Sequence, residues 1–455
     1  MEDRQPHFGD PGTTHSTVTT AHTTLDEPLP QPVQETQRIQ SVDVLRGFAL
    51  LGILVMNINF FAWPGMTIFN PSAAGGFTGL DLLTFKLEYL LFSQKFMTIF
   101  SMLFGAGLIL MATRAADTGR DIKRVFFRRV FFLLLIGVVH AYFIWEGDIL
   151  VIYGICGFFL WLFRKVPARW LVTTGSLLLG VGLVFMFALG IALGFFQSQA
   201  RVVEAKQADG QELDAGEQSL LESWEESSLF FEMPPELVQD EIESYRSGYL
   251  TILVHRFPTV IQMHTFGFVF MIGWRVLGLM LIGMGLMKIG FFAAKKSYLT
   301  YGLMAVFGYA VGLPITYYGM NELIANNFNM IFAFQQGMLY DYLSSVLISL
   351  AHVSVVMMIC KAGLLKPIQT GLAAVGRTAL SNYLLHSLVL TTIFYGYGLG
   401  LFGSVYRFEL LGFVLAMWAV NALLSIWWLR RYRFGPAEWA WRSLTYGKAP
   451  ALKRV

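Results

Sequence analysis

The chain has 455 residues, of which 55% are hydrophobic and only 14% charged, with a mean hydropathy of +0.56 and a formal net charge of +3. A soluble globular domain carries roughly 25% charged residues and rarely sustains apolar runs of the ~20 residues that cross a bilayer core, so an ordinary soluble protein is excluded. The small net charge gives no support to a nucleic-acid partner.

Residues 1–40 are polar, rich in Thr, Pro and Gln, and lack the short apolar region of a signal peptide; they predict a disordered tail. Apolar spans then follow over about 44–63, 82–112, 127–145, 148–164 and 169–196, making an N-terminal membrane half over 41–196. An acidic segment, 197–262, predicts short helices on the outer surface. A C-terminal half, 263–429, has spans near 263–290, 297–319, 332–360, 379–402 and 408–429, before a basic amphipathic tail, 430–455. Each run is too long for a barrel strand and shows no alternation, so the expected fold is all-α: a polytopic transmembrane helix bundle of about ten spans. Lys and Arg follow every even-numbered span, which predicts that both termini are cytoplasmic.

The first span opens with Asp43 and Arg46, three apart on one helix face. They can form a simple ion pair at the helix start, or Arg46 can face inward and hold a phosphate or carboxylate of a donor. Asp81, Lys86, Glu88 and Lys95 crowd the early part of the second span, which predicts an interfacial helix followed by a membrane helix from near Phe96.

His140, Glu146 and Asp148 lie in VVHAYFIWEGDIL, between two apolar segments. Asp148 can simply cap the fourth helix. Alternatively Asp148 or Glu146 orients the His140 imidazole, which then takes a proton from an acceptor hydroxyl or amine. Arg275, mid-span, faces either a cavity holding an anionic headgroup or acyl donor, or an internal salt bridge. His386 shares its helix with Asn382 and Tyr383, a grouping denser than packing requires; His352 is a further buried candidate.

Glycines such as Gly190, Gly194, Gly278, Gly283 and Gly285 suit close helix packing and permit a homodimer without requiring one. Cys156 and Cys360 read as buried thiols. No HExxH, CxxC or GxSxG occurs, and His7, His15 and His22 are scattered in the tail, so neither a bound metal nor a Ser/His/Asp hydrolase is expected. The stretch FGPAEWAWRSLTYGK reads as an amphipathic anchor on the cytoplasmic leaflet.

Taken together, SVDVLRGFALLGILVMNI (41–58), HAYFIWEGDIL (140–150), SNYLLHS (381–387) and FGPAEWAWRSLTYGK (434–448) resemble the YeiB-like family of bacterial inner-membrane proteins, whose C-terminal half is a domain of unknown function. The N-terminal half is similar to transmembrane acyltransferases of the heparan-α-glucosaminide N-acetyltransferase type, which also open with a D-x-x-R-G helix. That resemblance puts Asp43, Arg46 and Gly47 on the opening motif and makes His140 a candidate for the membrane histidine of such enzymes. It implies a multi-pass protein of the bacterial inner membrane, with no permanently bound cofactor. An acyl-CoA-type donor would enter near Arg46 and Arg275 and meet an envelope sugar, lipid or glycan near His140, in a water-filled crevice joining both faces. Asn382, Tyr383 and His386 are added to the substrate-binding candidates. A transporter of an anionic metabolite or lipid, and a non-catalytic membrane scaffold, stay open beside this reading.

Overall fold

The computed structural model describes residues 38–73, 76–117, 122–232 and 234–454. All but the last three residues of the polar tail, with His7, His15 and His22, lie outside them. The protein is an all-α polytopic bundle: among the described residues there is no strand, only an isolated bridge between Tyr432 and Lys453.

The helices are α1 (Gln40–Ala62), α2 (Gly79–Leu91), α3 (Lys95–Asp117), α4 (Lys123–Phe143), α5 (Leu150–Phe163) and α6 (Ala168–Ala208). They continue as α7 (Ala215–Glu232), α8 (Pro235–Tyr245), α9 (Tyr249–Gln262), α10 (Gly273–Lys288), α11 (Tyr298–Ala325) and the one-turn α12 (Met330–Phe332). The last are α13 (Met338–Ala362), α14 (Lys366–Arg377), α15 (Ala379–Phe394), α16 (Arg407–Arg431) and α17 (Pro436–Tyr446). Among the described residues, eight helical stretches are long and apolar enough to cross a membrane, and there are two shorter apolar helices, α5 and α15.

Several of these stretches are interrupted. The chain breaks between α2 and α3 at Gln94, whose φ of 61° lies in the left-handed region and ends the first helix. Between α9 and α10, and between α12 and α13, π-helical turns at Met263–Ile272 and Ala333–Gly337 carry the helix through without a break. Such wide turns are common where a helix borders a functional site. Both border the internal chamber described below, through Met263, Phe266, Met271 and Phe334.

Glycines set the closest crossings. A Cβ on Gly47 would stand 1.9 Å from the Leu372 carbonyl oxygen, and one on Gly376 would stand 1.9 Å from that of Asp43. The glycine of the opening motif therefore lets the α1 and α14 backbones touch, which fixes Asp43 and Arg46 beside them. A Cβ on Gly283 would likewise lie 1.9 Å from the Met102 carbonyl oxygen, joining α10 to α3. Close packing of small residues supplies what apolar burial cannot in lipid. Gly278, Gly283 and Gly285 all make their close approaches within this chain, to α6 and α3.

One end of the bundle is basic, formed by the starts of α1 and α4 with α14 and α17. The other is acidic, formed by the α4–α5 turn with α7 and α8. Buried Arg256 of α9 closes the end of α4, donating to Ile144 O at 2.7 Å and Tyr142 O at 3.0 Å. A cation on the last free carbonyls suits the negative end of a helix, and it anchors the turn after His140.

Candidate functional site

A single chamber of about 1700 Å³ runs through the bundle from the basic end to the acidic end. Arg38, Asp43, Arg46, Arg129 and Arg442 line its basic mouth; Trp145, Glu146, Asp148, Glu241 and Tyr245 line the acidic end; Phe96, Phe100, Leu103 and Phe104 lie between. Arg46 and Asn59 both border it along α1, and at 1.5 Å per residue their separation is roughly 20 Å.

At the basic mouth, Asp43 bridges two arginines: Arg38 Nε lies 2.8 Å from Oδ2 and Arg46 Nη1 lies 3.1 Å from Oδ1. The ion pair expected from their spacing is formed, and Arg46 also faces the chamber. Arg129 lies 4.1 Å over the Trp441 ring and Arg442 lies 4.7 Å over that of Phe434. The other carboxylate here, Glu438, accepts from Leu380 N at 2.7 Å and from the Ser381 hydroxyl. Burial first, against its hydrogen bonds, raises the Glu438 carboxyl above its ordinary value, while burial with Arg38 and Arg46 nearby lowers the Arg442 guanidinium. Arginines outnumber carboxylates at this mouth, and a sheltered excess of positive charge attracts an anion.

Midway, Arg275 is 2% exposed and borders the chamber. Its Nη1 donates to Tyr342 O at 2.8 Å, and its Nη2 to Thr98 Oγ1 at 3.0 Å and Ser345 Oγ at 2.8 Å. Its Nε has no hydrogen-bond partner. These acceptors are neutral; the buried ion pair of this region is Lys95 with Asp341, to which Ser93 also donates at 2.9 Å. Lys95 and Asp341 meet because the break at Gln94 turns the start of α3 toward α13.

At the acidic end, His140 and Asp148 come together across the α4–α5 turn. His140 Nδ1 lies 2.7 Å from Asp148 Oδ2, while Asp148 Oδ1 accepts the Val151 N–H at 2.9 Å. Capping and orienting are thus performed by one carboxylate, a different oxygen for each. A carboxylate that accepts from Nδ1 leaves Nε2 of a neutral imidazole as an acceptor. Nε2 lies 2.8 Å from the hydroxyl of Ser387 on α15. Ser387, His140 and Asp148 therefore form one hydrogen-bonded line, all three buried. Sequence reasoning did not single out Ser387, although it ends the quoted stretch SNYLLHS and stands four residues after Tyr383.

The remaining candidates divide. Tyr383 borders the chamber, with its ring centroid 5.1 Å from that of His140 and its hydroxyl 3.4 Å from Asp148 Oδ2. Glu146 accepts from Tyr245 at 2.8 Å rather than from His140. Asn382 and His386 turn toward α16: Asn382 donates to Ser425 Oγ at 2.9 Å, and His386 Nε2 is bonded to Asn421. Neither borders the chamber. His352 is held by Tyr309 at 2.7 Å and Leu91 O at 3.0 Å.

Glu241, on α8 outside the membrane helices, accepts from Gly65 N at 3.1 Å, and its carboxyl is pushed up to about 7, first by burial and then by Glu146. Among the described residues, buried polar atoms without a protein partner border the chamber at Glu88 Oε1, Gln94 Oε1, Trp145 Nε1, Glu146 Oε2 and Arg275 Nε. Buried polar groups are normally bonded, so this clustering marks the chamber as a place where a polar ligand or water completes them.

Residues 286–448 match the family described as "Protein of unknown function (DUF418)". The chain is 30% identical over 432 residues to "Uncharacterized protein YeiB" of Escherichia coli (strain K12), covering 92% of this chain and 99% of that protein. It is also 30% identical over 444 residues to "Uncharacterized protein YxaH" of Bacillus subtilis (strain 168), covering 91% of this chain and 96% of the relative. No solved structure matches it.

Proposed function

This chain belongs to the YeiB-like family, and from that premise we propose that it is a membrane-embedded acyltransferase. It would move an acyl group from a cytoplasmic acyl-CoA-type donor to a hydroxyl of an envelope sugar, lipid or glycan. The reading sets the protein in the bacterial cytoplasmic membrane, basic end inward, as the retention of Lys and Arg requires. Donor phosphates are held at the basic mouth by Arg46 and its arginine neighbours, and the donor's arm reaches along the apolar middle past Arg275. The acceptor enters from the acidic end. Nε2 of His140, held in the accepting tautomer by Asp148, removes the proton that its attack on the thioester carbonyl releases.

The observation that carries this reading is one chamber with surplus arginines at one mouth and the carboxylate of the His140–Asp148 couple on its wall near the other. Purified protein in lipid nanodiscs, given radiolabelled acetyl-CoA and a panel of sugar and lipid acceptors, should form acetylated product. His140→Ala should abolish it. Failure of the wild-type protein across a broad donor and acceptor panel would overturn the proposal.

A transport reading draws on the same chamber reaching both ends of the bundle, with Arg275 and the Lys95–Asp341 pair midway. Net flux of an unmodified anion into proteoliposomes, with no covalent product, would favour it instead.

A further inference from the structure

We propose that Ser387 is the nucleophile that takes the acyl group first, so that transfer passes through an acyl-serine on α15. This rests on the acyl-transfer reading and adds a covalent step to it. The argument begins with the two nitrogens of His140. Nδ1 is committed to Asp148 at 2.7 Å, and Nε2 faces Ser387 Oγ at 2.8 Å. The hydroxyl best placed to lose a proton to this base is therefore the protein's own. Nucleophile, base and orienting carboxylate stand in the order that activates a serine, whatever fold supports them.

Three neighbouring features suit the step. Asp148 is pinned by Val151 N at 2.9 Å, which keeps the imidazole in its accepting tautomer. The indole N–H of Trp145 has no acceptor although the residue is 1% exposed, and its ring centroid lies 6.3 Å from that of His140. It is an N–H donor without an acceptor, close to the couple, the type of group that stabilises a developing oxyanion. Ser387 itself is fully buried, so an ester formed there is shielded from water. Tyr383, one helical turn earlier, borders the chamber, whereas Ser387 and His140 lie behind its lining. Among the described residues the Tyr383 hydroxyl makes only long contacts, 3.4 Å to Asp148 Oδ2 and 3.3 Å from Ile149 N, so no strong bond holds the ring against the rotation that access to Ser387 requires.

In the first step Ser387 Oγ attacks the thioester carbonyl; the C–O bond forms, the C–S bond breaks, and the serine proton passes through Nε2 to the departing thiolate. In the second, the acceptor hydroxyl attacks the acyl-serine, giving its proton to Nε2, and the serine oxygen leaves and takes that proton back. Asp148 accepts from Nδ1 throughout and orients the ring in both steps.

The test uses the full-length protein in nanodiscs with two probes, diisopropyl fluorophosphate and acetyl-CoA without acceptor, followed by peptide mass spectrometry. A stoichiometric adduct on Ser387 is expected from both, absent in Ser387→Ala and formed at least tenfold more slowly in His140→Gln. Ser387→Cys controls for folding and should trap acetyl as a hydroxylamine-labile thioester. No adduct from the fluorophosphate overturns the nucleophile, as does a Ser387→Ala protein that acetylates acceptor at the wild-type rate. The second result would leave acyl transfer standing as a direct reaction. A fluorophosphate adduct with no acetylation from any acyl-CoA supports the serine and counts against the acyl-transfer reading.

Discussion

His140 and Asp148 are joined by a 2.7 Å hydrogen bond that spans the turn between α4 and α5, and the same carboxylate receives the Val151 N–H with its other oxygen. An amide at position 148 can keep one of these bonds only by presenting an N–H donor to the ring or to the backbone. Asp148→Asn should therefore reverse the imidazole tautomer and lower the rate of acetyl transfer by about 10²–10⁴-fold while donor affinity holds. Steady-state kinetics on the purified variant decide this; an unchanged kcat would remove the couple from the chemistry.

The surplus of arginine at the basic mouth makes anion binding there salt-sensitive. Arg46→Gln and Arg442→Gln should each weaken CoA binding by roughly tenfold or more, the value of a hydrogen bond to a charged group, and the loss should shrink as salt is raised. Isothermal titration with CoA at two ionic strengths measures both effects. Equal affinities for wild type and variants would place the donor elsewhere.

Gly376 meets the Asp43 carbonyl so closely that any side chain must drive α14 away from α1. Gly376→Ala should destabilise the protein by about 1–3 kcal/mol, the usual cost of forcing volume into a packed contact. Thermal unfolding in detergent reads this directly, and a wild-type midpoint would show that the two helices have room.

Lys95 and Asp341 pair at a depth where a lone charge is costly. Lys95→Met alone should lose about 3–5 kcal/mol by stranding the carboxylate, whereas Lys95→Met combined with Asp341→Leu should recover most of it. Thermal unfolding of both single variants and the double measures this, and a double-variant loss equal to the sum of the Lys95→Met and Asp341→Leu losses would mean that the pair is not coupled.

Glu241 adds a pH dependence whose sign follows from its raised carboxyl. Its value rises from 4.5 to about 7 on folding, so the folded state binds the proton more tightly. The stability this contributes is complete below the unfolded value and is lost as pH climbs through about 7. Melting curves should therefore show Glu241→Gln gaining on wild type as pH rises through that window. A difference that does not change with pH would contradict the assignment.

The bundle was legible because lipid imposes long apolar runs, and the break ahead of Lys95 was legible in the charges crowded before it. The extent of α6 was not. Its apolar part ends near Gln197, but ARVVEAKQA holds no helix breaker, so the helix continues to Ala208 and stops before Gly210, whose φ is +74°. The meeting of His140 and Asp148 could be read from a short turn. Ser387 could not, since it stands 247 positions from His140. Spacing also put Asn382 and His386 on one face without saying which neighbour that face meets; it meets Asn421 and Ser425 of α16. The basic mouth draws Arg46, Arg129 and Arg442 from three separate helices, each of which alone resembles an ordinary topogenic charge.

Glu438 grips the free amides at the start of α15 from a helix that follows α16. The chain's final segment is thus mechanically linked to the helix bearing Tyr383 and Ser387, with the Ser381 hydroxyl donating to Glu438 and accepting the Ala437 N–H as the clasp. The same short helix that lends Arg442 to the basic mouth is thereby tied to the helix carrying Tyr383 and Ser387, so the two ends of the chamber share one mechanical connection.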